Sequence, residues 1–114
     1  MDKKEIEALK KIQSHSEDLI NQCRNINSVD EFEKNVIINK ACDLDLILIG
    51  EIAHICLTDQ TKKELERIPW SEIYGLRNRI VHGYDDIKQN IIFDTIKNDI
   101  PDLLVEVTEA LKKL

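Results

Sequence analysis

Apolar residues recur along the chain at intervals of three and four, the period of α-helices with one face against a core. Ile6, Leu9, Ile12, Leu19, Ile20, Cys23 and Ile26 trace a first stripe, which predicts a helix over about 3–24. Ser28 and Glu31 have the spacing of a capping box, so a short helix through Lys34 should follow. From Val36 to about Leu57 the pattern is densest. There Ile37, Ala41, Leu44, Leu48, Ile52 and Ile55 predict a long helix at the centre of a bundle. Asp43 and Asp45 interrupt it; a buried carboxylate without a partner is costly, so each is expected at a groove or polar edge.

Thr61 and Glu64 repeat the capping spacing and predict another short helix. Pro69 then marks the start of a helix over about Trp70 to His82, with Ile73, Leu76 and Ile80 facing inward and Trp70 as a packing anchor. Gly83 suits a left-handed C-cap for that helix. Asp85 or Asp86 can cap the next one, in which Ile87, Ile91 and Ile96 face inward. Pro101 either kinks it or opens a last helix carrying Leu104, Val107 and Leu111. Neither repeats nor low-complexity runs break the pattern. The expected fold is all-α, an up-and-down bundle of about four to six helices in one domain over 1–114.

Composition narrows the function classes. At 114 residues a chain builds one modest core and gains burial by dimerising. The balance of 22 acidic against 16 basic residues, net charge −6, opposes broad coating of nucleic acid, so any RNA contact must be local. Between Lys62 and His82 the balance reverses, with five basic residues against three acidic. Aromatic residues, 4% of the chain, are too few to hold single-stranded RNA mainly by stacking. Cys23, Cys42 and Cys56 lack C-x-x-C pairing and sit in apolar helical surroundings, as reduced thiols of a cytoplasmic protein would. The N-terminus is charged and periodic, unlike a signal peptide, and the longest apolar run, Leu46 to Ile49, is too short to span a membrane.

The segment RNRIVHGY, Arg77 to Tyr84, concentrates the chemistry. It sets a guanidinium, an imidazole and a phenol at a helix end, where a proton can be moved and an anionic oxygen held without a metal. At 100° per residue Asn78 shares a face with His82, whereas Arg77 lies about 140° away and must reach round; Arg79, three residues before His82, is nearer. A solvated helix with a capping histidine fits the same spacing. Glu51 and His54 form E-x-x-H, a spacing used by di-iron bundles, but no second copy accompanies it, and a polar helix edge is the simpler reading. His15, alone among charges, is expected at the surface. Phosphate-cradling glycine loops and a nucleophilic Ser or Cys beside a histidine are missing.

Arg77, Asn78, His82 and Tyr84 together resemble the R-x-x-x-x-H-x-Y signature of HEPN domains of the HepT type. IGEIAH (49–54), IPWSEIYGLRNRIVHGY (68–84) and FDTIKNDIPDLL (93–104) are similar to that family's successive helix segments, in order. The resemblance implies the toxin of a type VII toxin–antitoxin pair, a metal-independent endoribonuclease that needs no cofactor. It further implies that Arg77 and His82, with Asn78 in support, act in a cleft shared by two copies; Arg79, close to His82 on the helix, is a candidate RNA contact. Tyr84 resembles the family tyrosine that a partner minimal nucleotidyltransferase modifies with AMP. Two other classes fit the same residues: a noncatalytic subunit that binds nucleotide or that partner, and a structural dimer in which Asp85 or Asp86 holds His82.

Overall fold

The computed structural model describes residues 1–83 and 87–114; Tyr84, Asp85 and Asp86, with the expectations placed on them, lie outside the described residues. Among the described residues seven α-helices follow one another: α1 (Lys3–Gln22), α2 (Val29–Lys34), α3 (Val36–Cys56), α4 (Asp59–Glu64), α5 (Trp70–His82), α6 (Gln89–Asp94) and α7 (Ile100–Lys112). A five-residue π-helical turn, Thr95–Asp99, joins α6 to α7. No strand occurs among the described residues. The expected all-α bundle is therefore found. Helix α3 lies between α1 and α5, and α1 packs on α7 along its other flank.

Caps set several of these boundaries. Asp2 Oδ1 accepts from the Glu5 amide at 2.8 Å, Ser28 Oγ from Glu31 at 3.2 Å, and Asn35 Oδ1 from Ile38 at 3.1 Å. Each such cap stabilises by about 0.5–2 kcal/mol. The box at Ser28 closes one residue early, because Glu31 Oε2 accepts from Asn27. The expected box at Thr61 and Glu64 is displaced by a turn: Thr58 is the cap of α4, and Thr61, whose amide it accepts, is buried inside the helix. Thr58 gains that role because its amide and hydroxyl both donate to Glu5 Oε2 at 3.1 Å, tying α1 to the start of α4. The Thr61 hydroxyl together with these donors holds the Glu5 carboxyl down at about 2.

The largest departure from the sequence pattern is the orientation of α3. Its buried residues are Cys42, Asp45, Leu46, Ile49, Gly50 and Ala53, whereas Ile37, Leu44 and Ile55 are 83%, 56% and 64% exposed. Half of the regular stripe thus faces outward, while Ala41, Leu48 and Ile52 are half-buried, Ile52 against the core. Helix α3 is apolar on nearly all sides, and periodicity alone cannot choose which side meets α1 and α5. Two small residues, Gly50 and Ala53, mark the packed face instead.

At the C-terminal end, Pro101 lies in the first turn of α7 and opens it. Proline cannot donate a backbone hydrogen bond, and the π turn just before it absorbs the change of register, the Ile100 amide donating to the Thr95 carbonyl. Leu103 and Val107 face the core, and Leu104 is only half-buried. The N-cap of α6 is Lys88, without a side-chain cap bond. Phe32 and Phe93, with ring centroids 5.3 Å apart, fasten α2 to α6.

Candidate active site

Helix α5 spans Trp70–His82, the bounds the sequence pattern predicts. Ile80 is buried, and Ile73 and Leu76 pack against the core, while the Trp70 indole donates to the Leu65 carbonyl at 3.1 Å and anchors the first turn. The helix ends at Gly83, whose amide donates to the Arg79 carbonyl at 2.9 Å. Its φ of −135° is not left-handed, so the expected left-handed cap is replaced by a conformation open to any residue.

Arg77 is the centre of a polar cluster between α3 and α5. Its Nη2 forms an ion pair with Glu51 Oε1, and its Nη1 donates to Asn78 Oδ1 at 2.8 Å. The guanidinium carbon lies 5.9 Å from the centroid of the Tyr74 ring, which stacks on His54 at 4.0 Å and 12°. Arg77 Nε is buried and without an acceptor among the described residues. The side chain keeps 18% exposure and that of Glu51 31%, so one edge of the pair meets solvent. Gly50 makes this approach possible: a Cβ there would lie 2.5 Å from Arg77 Cβ.

The structure therefore brings Arg77 and Asn78 together and does not join them to His82. His82 is exposed in the last turn of α5, and no hydrogen bond or ion pair among the described residues links it to Arg77. Arg79 is also exposed and lines a cavity of about 400 Å³ with Leu46, Ile73, Leu76, Thr95 and Leu103. Tyr84 lies outside the described residues. Glu51 carries a role that its sequence spacing did not reveal, because its partner is remote in the chain. Glu51 and His54 are both spent on α5 side chains and do not converge on a common ligand.

A second polar group lies between α1 and α3. His15, expected at the surface, is half-buried, with Nδ1 2.9 Å from Asp45 Oδ1, and Gln22 Nε2 donates to Asp45 Oδ2 at 3.2 Å. His15 stands three residues after Ile12 and four before Leu19, a placement on the buried stripe that could have signalled this. Asp45 is thus buried but paired, whereas burial raises the Asp43 carboxyl, one oxygen of which has no partner. His15, Asp18 and Asp45 offer one imidazole and two carboxylates within 4.8 Å of one another, the donor set for a divalent cation, already engaged in part by the internal pair. Nearby, Cys23 and Cys42 are buried free thiols with sulfurs 3.6 Å apart. The Cys23 thiol and burial push Cys42 up, which suits a protonated core thiol. No helix among the described residues is long and apolar enough to cross a membrane.

Comparison with known proteins agrees with this architecture. The family described as Ribonuclease HepT-like matches residues 5–110. A protein of Caldanaerobacter subterraneus subsp. tengcongensis named "Putative RNase TTE0752" is 32% identical over 105 residues, 92% of each chain. One of Methanocaldococcus jannaschii named "Putative RNase MJ1380" is 30% identical over 108 residues, 94% of this chain and 97% of that one. The Thermococcus cleftensis protein named "Probable ribonuclease HepT" is 27% identical over 99 residues, 79% of this chain and 89% of its own. No solved structure gives a significant match. With a family match over nearly its whole length and an all-helical fold to accompany it, the chain belongs to the ribonuclease HepT-like family.

Proposed function

We propose that the protein is a metal-independent endoribonuclease, the toxin of a toxin–antitoxin pair, working as a homodimer in the cytoplasm. The observation that carries this reading is the Arg77 guanidinium, pinned from both Nη atoms by Glu51 and Asn78 yet open along one edge, on the same helix as an exposed His82. A fixed guanidinium costs no reorganisation when charge develops on a phosphoryl group. RNA brings its own nucleophile, the 2′-hydroxyl. In this mechanism His82 takes the 2′-hydroxyl proton as the 2′-oxygen bonds to phosphorus. The bond from phosphorus to the 5′-oxygen then breaks, and that oxygen receives a proton from a second imidazole. Arg77 stabilises the pentacovalent phosphorane, Asn78 holds the guanidinium in plane, and Arg79 holds a neighbouring phosphate.

One chain supplies the parts but separates Arg77 from His82, so two copies would combine the guanidinium of one with the imidazole of the other. Tyr84, two residues past His82, is the proposed site at which a cognate minimal nucleotidyltransferase attaches AMP and silences the cleft. Product analysis tests the chemistry. Single-stranded RNA incubated with the protein should end in 2′,3′-cyclic phosphate and 5′-hydroxyl groups. Products ending in 3′-hydroxyl and 5′-phosphate would mean that water, and not the 2′-oxygen, attacks.

A further inference from the structure

The cavity of about 400 Å³ beside α5 has apolar walls from three helices: Leu46 and Ile49 of α3, Ile73 and Leu76 of α5, and Ile100 and Leu103 of α7. Charge enters it from two sides. Exposed Glu72 and Arg79 belong to α5, and exposed Asp99 belongs to the π turn that absorbs the register change before Pro101. Arg79 makes no ion pair with either carboxylate, although all three line one cavity, and it has no other ion-pair partner among the described residues.

Gly75 lines the same cavity, and packing within the chain does not account for it. A glycine weakens the interior of a helix. At Gly50 the close approach of Arg77 demands one, but a Cβ on Gly75 would meet no atom within 4 Å. Bare backbone there widens the cavity instead, which suits a flat ligand lying against α5. His82 follows Gly75 by seven residues, about 20° away round the axis and about 10 Å along it, with Arg79 between them in the chain. The cavity and His82 thus share a side of α5, whereas Arg77 turns to Glu51 on another.

A ligand that fits must bring a flat body for the apolar walls, an anion for Arg79 and N–H donors for Asp99. A nucleotide carries all three. Among the bases guanine suits Asp99 best, because its N1–H and its amino group donate side by side to the two oxygens of one carboxylate. Adenine and cytosine set their amino group beside a ring acceptor, and uracil sets its N–H between two carbonyls, which a carboxylate repels. We propose that the cavity seats an unstacked guanine of the RNA chain near the cut, with Asp99 reading its donor edge and Arg79 holding a phosphate beside it. That the ligand is RNA rests on the ribonuclease reading. The apolar walls supply the cover that the chain's few aromatic residues do not.

Calorimetry with 2′-O-methyl pentanucleotides, uridine throughout except for guanosine, adenosine or uridine at the centre, tests the pocket. The blocked 2′-oxygen prevents cutting. The guanosine pentamer should bind at least about tenfold more tightly than the uridine one. Gly75→Leu fills the cavity and Asp99→Asn removes one of the paired acceptors, so each should erase that preference. Loss of a carboxylate strengthens the binding of any RNA, so the ratio of the two affinities is read. Asp99 is exposed and makes no side-chain cap bond to α7, so its variant should keep the helical circular dichroism and decides alone if Gly75→Leu misfolds. Equal binding of the three pentamers, no binding of any, or a guanosine preference that survives both substitutions would overturn the proposal. Protein that shows the preference but cuts no unmodified RNA would retain the pocket and lose the ribonuclease reading. Protein that cuts RNA without any guanosine preference would do the reverse.

Discussion

Gly50 on α3 and Arg77 on α5 approach so closely that a Cβ on the glycine would stand 2.5 Å from the arginine's Cβ and 2.9 Å from its Cγ. Contacts that short do not exist between real side chains, so the glycine fixes the spacing of the two helices that carry Glu51 and Arg77. Gly50→Ala should push them apart. An overpacked helix contact costs about 1–3 kcal/mol, and the expected result is a lower urea midpoint together with reduced RNA cleavage. Unchanged stability would mean that α5 shifts freely on α3 and that Arg77 is less firmly placed than its contacts indicate.

Charge reversal is not needed to probe Glu51; removing its charge is enough. Glu51→Gln keeps the shape and an acceptor for Arg77 while deleting the anion. If the carboxylate holds the guanidinium in its working orientation, the variant should lose about tenfold in kcat, with Arg77→Lys lower still because an ammonium cannot reproduce the planar fork. Equal cleavage by Glu51→Gln and the wild type would reduce the ion pair to packing. Single-turnover cleavage at saturating RNA separates this effect from a change in binding.

Glu5 gives a prediction in pH. Its carboxyl is held at about 2 in the folded protein, down from near 4.5, by the donors of Thr61 and Thr58. A depressed carboxyl stabilises the fold fully above its unfolded value and loses that contribution as the pH falls through its folded value. Glu5→Gln should therefore melt below the wild type at pH 6, and the gap should close between pH 4.5 and 2. A gap that stays constant to pH 2 would show that shape, and not charge, holds α1 to α4.

The bounds of α5 and the cap at Ser28 were legible in the sequence, because a proline, a glycine and a hydroxyl each act on their immediate neighbours. The orientation of α3 was not. Its apolar residues satisfy two faces equally, and which one turns inward depends on Gly50 meeting Arg77, a contact between positions far apart in the chain. The same distance hides the pairs Glu51 with Arg77 and His15 with Asp45. Arg77, Asn78 and His82 stand out as a motif in the sequence, and helical spacing already sets Arg77 about 140° round from His82, whereas the engagement of Arg77 by Glu51 needs three dimensions.

Tyr84 supplies the regulatory prediction. Incubated with the proposed cognate nucleotidyltransferase, ATP and Mg²⁺, the wild type should gain mass in AMP-sized steps and lose RNase activity, because an added phosphate brings negative charge and bulk to the proposed site for an RNA phosphate. Tyr84→Phe should gain nothing. Equal labelling of the Phe variant, or fully labelled protein that still cuts RNA, would place the regulatory site elsewhere.

The central claim is that Arg77 and His82 cut RNA without a metal. RNA cleavage in excess EDTA by the wild type, Arg77→Ala and His82→Ala tests it most directly, with circular dichroism confirming that all three remain helical. The account predicts that the wild type cuts and that each variant is slower by at least about 10²-fold, the lower end for loss of a general acid or base. Cleavage that disappears with EDTA and returns only with Mg²⁺ or Mn²⁺, or that survives both substitutions, would contradict it.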